Sequence, residues 1–128
     1  MKYKLTDTQV GKKGQDTRAL LALLNEHCHT DIGMTFTRAA GGCANPRQKC
    51  FTIPQHAFAK GETYLFYYVI HEFTHCRENN SAHDRCFKQT EQELLGLFGI
   101  SIDYARAYPK TLYANGERVY SKPRYSQS

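Results

Sequence analysis

An α+β fold is what this 128-residue sequence predicts, as one domain over 1–120 with a polar tail over 121–128. Three observations carry that reading. Leucines recur at helical spacing over 20–24, and short stretches at 34–38 and 49–53 have the pattern of half-buried strands. A third stretch, 64–75, is apolar nearly all round and runs on without Gly or Pro for longer than strands usually do, which favours a buried helix. The expected order is an N-terminal helix, a short β-sheet, a central helix, a second helix after it and a C-terminal β-hairpin.

Each element has its own local signals. Gly14-Gln15-Asp16-Thr17 supplies cap chemistry for the first helix, whose stripe of Leu20, Leu21, Leu23 and Leu24 ends near His29-Thr30. Met34-Thr35-Phe36-Thr37-Arg38 alternates apolar with polar and is broken by Gly41-Gly42. Lys49-Cys50-Phe51-Thr52-Ile53 reads as a neighbouring strand, stopped by Pro54 because proline has no N–H for the ladder. The buried helix follows Gly61. Asn79-Asn80-Ser81 forms a loop, and a further helix is expected over 82–98, with His83, Phe87, Thr90, Leu94 and Phe98 near one face and Gly99 closing it. Asn115-Gly116 is the strongest short hairpin signal, flanked by Leu112-Tyr113 and Val119-Tyr120.

Composition narrows the function classes. A chain of this length buries enough surface to fold without staples, and its five cysteines are odd in number with no CxxC pair, so no disulfide framework or four-thiolate zinc site follows from spacing. The first residues carry charges with no apolar segment behind them, so no secretory signal is expected, and no run approaches the ~20 residues of a membrane span. The expectation is a soluble cytoplasmic protein with free thiols and no membrane partner. Seventeen Lys and Arg against twelve Asp and Glu give a formal charge of +5, which permits an acidic or phosphate-bearing partner without demanding one.

The chemistry sits in His71-Glu72-Phe73-Thr74-His75, an HExxH motif on the buried helix. Residues four apart on a helix lie about 40° from one another around the axis and ~6 Å along it, so both imidazoles reach one ion. Zinc takes nitrogen ligands at about 2.0–2.1 Å and needs an open fourth position for chemistry, which two histidines and one further side chain leave free. Glu72 then stands beside the ion as a general base rather than a ligand. Histidines in an apolar helix can also be core residues bonded to carbonyls, but three polar groups there each need a partner or cost a few kcal/mol, and zinc answers that cost. The same ligand types accept manganese or cobalt.

A third ligand must come from beyond the helix. His83, separated from His75 by seven residues, can be presented by a turn as the first residue of the next helix, with Phe87 packed under the site. Glu91 and Glu93 compete as carboxylate ligands. Asp84 is a weaker rival that also suits a hydrogen bond to a ligand imidazole or a place at a helix N-terminus.

The motif His71-Glu72-Phe73-Thr74-His75, followed by Ala82-His83 and then Phe87, resembles the SprT-like and related minimal zincin metallopeptidases over about 50–98. That resemblance implies a small zincin-like domain, one Zn2+ held by His71, His75 and His83, Glu72 as the catalytic base, and peptide-bond hydrolysis in protein or peptide substrates. It also implies that the strand at 50–53 is the sheet edge pairing with an extended substrate. The DNA-associated branch would add proteins held on DNA as substrates. The contact surface would then be basic and C-terminal, with Lys110, Arg118, Lys122 and Arg124 interleaved with Tyr113, Tyr120 and Tyr125. Two other readings stand beside it. One is an ImmA/IrrE-like peptidase that cleaves repressors and takes a glutamate as third ligand; the other is a DNA- or protein-binding module whose zinc is structural and closed by a fourth side chain.

Peptide hydrolysis also needs a group facing the oxyanion. Tyr104, Arg106, Tyr108 and Tyr113 follow the second helix, but nine tyrosines make packing the better account of each, and none is assigned. Cys76 lies about 140° round the helix from His71 and is expected to face the core. Cys43 and Cys50 flank Pro46 and can meet as a disulfide or, with Cys28 or Cys86, as half of a second metal site; spacing and a reducing compartment favour neither.

Overall fold

The computed structural model describes residues 7–39, 41–79, 82–104 and 111–121. It is a mixed α+β fold in which one helix packs against most of the other elements. That helix, α2 (Glu62–Glu78), contacts α1 (Asp7–Cys28), β2 (Ala44–Asn45), β3 (Cys50–Pro54), α3 (Arg85–Gly96) and the hairpin strands β5 (Thr111–Ala114) and β6 (Glu117–Ser121). It is central because it is apolar on nearly every side: Leu65, Val69, Ile70 and Phe73 are all buried, and no single surface could cover them.

α1 begins earlier than its sequence signals suggest. Asp16 and Thr17 lie inside it rather than capping it. Glycine within a helix costs only about 1 kcal/mol relative to alanine, too little to stop propagation through Gly14 into a segment anchored in the core by Thr17, Leu20 and Leu24. Leu23, placed on the inward stripe from sequence, points to solvent at 55% exposure. The stripe that packs is 17, 20 and 24, a spacing that keeps to one face of a 3.6-residue helix.

β1 (Gly33–Thr37) and β3 are neighbours, as expected, and run parallel with Met34 opposite Phe51 and Phe36 opposite Ile53. β2 was not anticipated. It pairs antiparallel with β3, Ala44 opposite Phe51, and a turn with Lys49 at φ 56° joins the two. The order β1-β3-β2 places Cys50–Pro54 in the middle of the sheet, so the expectation that this strand is the edge is corrected. The reason is the return of the chain. The stretch after β1 crosses to the far side of β3, where Thr52 N–H donates to the Cys43 carbonyl at 2.9 Å and Cys43 N–H to Thr52 Oγ1 at 3.0 Å. Only glycine fits at 42: a Cβ there would lie 2.3 Å from the Thr52 carbonyl oxygen.

α3 starts at Arg85, three residues later than expected. Its N-cap is Asp84, whose carboxylate accepts from Phe87 N–H at 2.9 Å, which leaves Ala82 and His83 in the bend before the helix. Asn79 ends α2 in the left-handed region at φ 53°. β4 (Ile100–Asp103) is a strand the sequence reading lacked. It pairs with β5 to make a second sheet, β4-β5-β6, and the Asn115-Gly116 hairpin forms where expected, with Ala114 opposite Glu117. Ser121, assigned to the tail, ends β6 opposite Thr111. The rest of that tail, 122–128, lies outside the described residues.

Candidate metal centre

α2 delivers His71, Glu72 and His75 to one side of the helix, and all three are buried, at 9%, 8% and 7% exposure. The bend before α3 brings back His83. The four-residue step along α2 sets the first two rings 4.9 Å apart between centroids, and the His83 ring lies 5.0 Å from His71 and 4.9 Å from His75. One nitrogen from each ring falls within 4.8 Å of the others. His75 Nε2 and His83 Nε2 are 3.1 Å apart, close to the edge of about 3.3 Å that a tetrahedral site with 2.0–2.1 Å bonds requires. The group can hold a metal ion, and imidazole nitrogens are donors that several transition metals accept, zinc among them.

Phe87 forms the floor. Its ring lies 4.4 Å from that of His75, 5.1 Å from His71 and 5.0 Å from His83, and it is fully buried. The placement follows from the cap: with Asp84 holding Phe87 N–H, the first turn of α3 turns residue 87 under the bend that carries His83.

The two glutamates weighed as third ligand lie in different surroundings. Glu93 is exposed. Glu91 is completely buried, and its Oε2 lies 2.6 Å from His71 Nδ1, on the side of that ring away from Nε2. It holds the His71 ring and is not one of the group of three. Its other oxygen accepts a short hydrogen bond from the Tyr104 hydroxyl. Tyr104, one of the residues weighed for the oxyanion, thus stands behind the site. Burial first, then the Glu91 charge and the hydrogen bond to it, keep its phenol protonated far above the ordinary tyrosine range. Arg106 and Tyr108 lie outside the described residues, and Tyr113 is a half-buried residue of β5.

Glu72 is placed differently. Its carboxylate makes no hydrogen bond among the described residues, whereas each buried side-chain oxygen or nitrogen shut off from solvent has a partner. Its oxygens therefore keep access to water. Burial raises its pKa above the ordinary carboxylate value, with His71 opposing and Glu91 adding to the rise. The His83 pKa is lowered, chiefly by desolvation and then by His71 and Lys88, with Glu91 opposing; although the residue is exposed, its ring packs against those of His71, His75 and Phe87. A neutral imidazole is the form that binds metal.

Tyr68, which the sequence reading passed over, sits one turn before Glu72 on the same side of α2. Its hydroxyl accepts from Gly42 N–H at 3.0 Å and so ties the sheet-edge loop to the helix. A signal for it exists in the sequence as the i, i+4 step from 68 to 72. All five cysteines are free, and Cys76 faces the core as expected, its thiol donating to the Cys50 carbonyl at 3.4 Å. The three histidines are the one metal-competent group among the described residues. No helix among those residues is long and apolar enough to cross a membrane. Neither a family model nor a curated protein nor a solved structure matches this chain.

Proposed function

We propose that the chain is a zinc-dependent metallopeptidase that hydrolyses peptide bonds in protein or peptide substrates. The observation that carries the reading is the convergence of three imidazole nitrogens within 4.8 Å beside Glu72, a buried carboxylate with no hydrogen-bond partner among the described residues. His71, His75 and His83 hold the ion. Zinc in such a three-histidine setting supplies Lewis acidity, polarising a carbonyl and acidifying water at neutral pH. Glu72 accepts the proton of the attacking water and passes it to the leaving amine, a task suited to a carboxylate whose pKa is raised by burial. A structural zinc site takes four protein ligands, and three histidines with Cys76 turned to the Cys50 carbonyl favour the open arrangement of an enzyme. The grip of Glu91 on His71 argues likewise for a histidine as third ligand and against the ImmA/IrrE-like alternative.

The SprT-like resemblance adds proteins held on DNA as a substrate class. Arg118 is exposed on β6, while Lys110, Lys122, Arg124 and Tyr125 lie outside the described residues. Retention of DNA in a gel that weakens steeply with salt is the expected behaviour, and no retention at low salt removes this extension. Five free thiols suit a reducing, cytoplasmic setting.

Elemental analysis and a peptidase assay test the core proposal together. Wild type carries one zinc per chain and His83→Ala carries little. Glu72→Gln keeps its zinc and its fold but loses about 100- to 10,000-fold in turnover, the range that general-base catalysis supplies. A Glu72→Gln protein as active as wild type would end the proposal.

A further inference from the structure

Glu91 is the one carboxylate completely buried among the described residues, and it is not needed as a ligand. It stands on α3 between Phe87 and Leu94, on the stripe that packs inward. A charged group at such a position costs several kcal/mol unless its oxygens are satisfied, and both are: Oε2 by His71 Nδ1 at 2.6 Å, Oε1 by the Tyr104 hydroxyl. Tyr104 is itself held. It follows β4, packs against the core, and carries the Lys88 ammonium 5.2 Å above its ring. Three separate segments thus meet in one line, from the end of the second sheet through α3 to α2.

A carboxylate accepting at Nδ1 fixes one tautomer of His71, with the proton on Nδ1 and the lone pair on Nε2, and fixes the plane of the ring. We propose that Glu91 and Tyr104 are positioning residues of the metal centre: Glu91 holds His71 with Nε2 presented to the ion, and Tyr104 holds Glu91. The proposal rests on the metal reading above and adds to it two residues that touch neither the ion nor the substrate. It also gives the second sheet a role in the chemistry, because Tyr104 reaches Glu91 from the end of β4.

The test is zinc affinity by chelator competition, with the His71 tautomer read by nitrogen NMR in metal-free protein. Glu91→Gln keeps shape and one acceptor but loses the charge, and binds zinc about 10- to 100-fold more weakly than wild type. Tyr104→Phe removes a single oxygen and falls between the two. Glu93→Gln, an exposed change on the same helix, leaves affinity where it was. In metal-free wild type the proton of His71 is on Nδ1; in Glu91→Leu it spreads to Nε2, which a merely structural role for Glu91 would not require. If Glu91→Gln fails to fold, Tyr104→Phe and the wild-type tautomer decide the matter. Zinc affinity equal in wild type, Glu91→Gln and Tyr104→Phe overturns this inference and leaves the metal reading intact. Zinc loss in Glu91→Gln as complete as in His83→Ala makes Glu91 a ligand and also overturns it. Absence of zinc from wild type overturns both.

Discussion

Polar side chains inside an apolar helix have to be answered locally, and along α2 almost all of them are. Thr74 donates to the Ile70 carbonyl at 2.6 Å, Cys76 to the Cys50 carbonyl, and His71 to Glu91, while His75 faces His83. Glu72 is the exception, which is why the catalytic proposal rests on it. Cys76 shows the opposite case, a buried group with no chemistry of its own. Burial, then the neighbouring Cys50, push its thiol from 9.0 up to about 11. Because the folded value is the higher one, the neutral thiol stabilises the fold fully below about pH 9, and that contribution is lost as pH rises towards 11. Two units correspond to about 2–3 kcal/mol, so urea unfolding should show stability falling over that window in wild type and falling less in Cys76→Ala. At neutral pH, alkylation should reach the exposed Cys43 and Cys86 first and Cys76 only as the protein opens. Rapid labelling of Cys76 in the folded protein would contradict this. At this scale the sequence was most legible for the histidines, since ligand spacing on a helix is fixed by its pitch. Glu91 was visible only as a rival ligand: distance along a chain gives no direction, and a carboxylate facing Nδ1 and one facing the ion share the same sequence position.

Elements were legible where a pattern repeats and hidden where pairing is made by a partner far along the chain. α2 and the Asn115-Gly116 hairpin formed as expected, because an uninterrupted apolar run and a two-residue turn are local signals. β2 has two residues and β4 four, too few to alternate clearly; each exists because a neighbouring strand offers it an edge. The start of α3 depends on one residue. Asp84 closes the first turn and so decides where the bend leaves His83. Asp84→Ala should lower stability by about 1 kcal/mol in denaturant unfolding and weaken zinc binding, whereas Asp84→Asn, which also caps, should restore both. An Ala variant with wild-type zinc affinity would mean that the cap does not set His83. Gly42→Ala meets the Thr52 carbonyl in the same structural sense, backbone against an added methyl group, and should cost about 1–3 kcal/mol of stability with the Tyr68 hydrogen bond loosened.

Across the whole molecule, the fold and the site make different demands on the same helix. A core built from both sheets and the three α-helices among the described residues, with Leu24, Phe36, Ile53, Ile70, Leu95 and Leu112 fully or almost fully buried, gives α2 its place without help from an ion. The histidine group does something else: it joins α2 to the bend before α3, adding to the packing of α2 on α3. An ion bound there stabilises the folded state by its binding free energy, about 4 kcal/mol when free zinc exceeds its dissociation constant a thousandfold. For a domain of this length that corresponds to a shift in Tm on the order of 10 °C. Chelation should therefore leave a folded protein that melts cooperatively at a lower temperature, and zinc should restore the higher Tm in a concentration-dependent way. In His83→Ala the chelator should have almost nothing left to remove, so its Tm should barely move. The comparison separates the two demands. A chelated wild type that has lost its near-UV signal would make the ion part of the core, which the apolar packing argues against, and a wild-type Tm indifferent to both chelator and zinc would leave the three imidazoles as packing residues and nothing more.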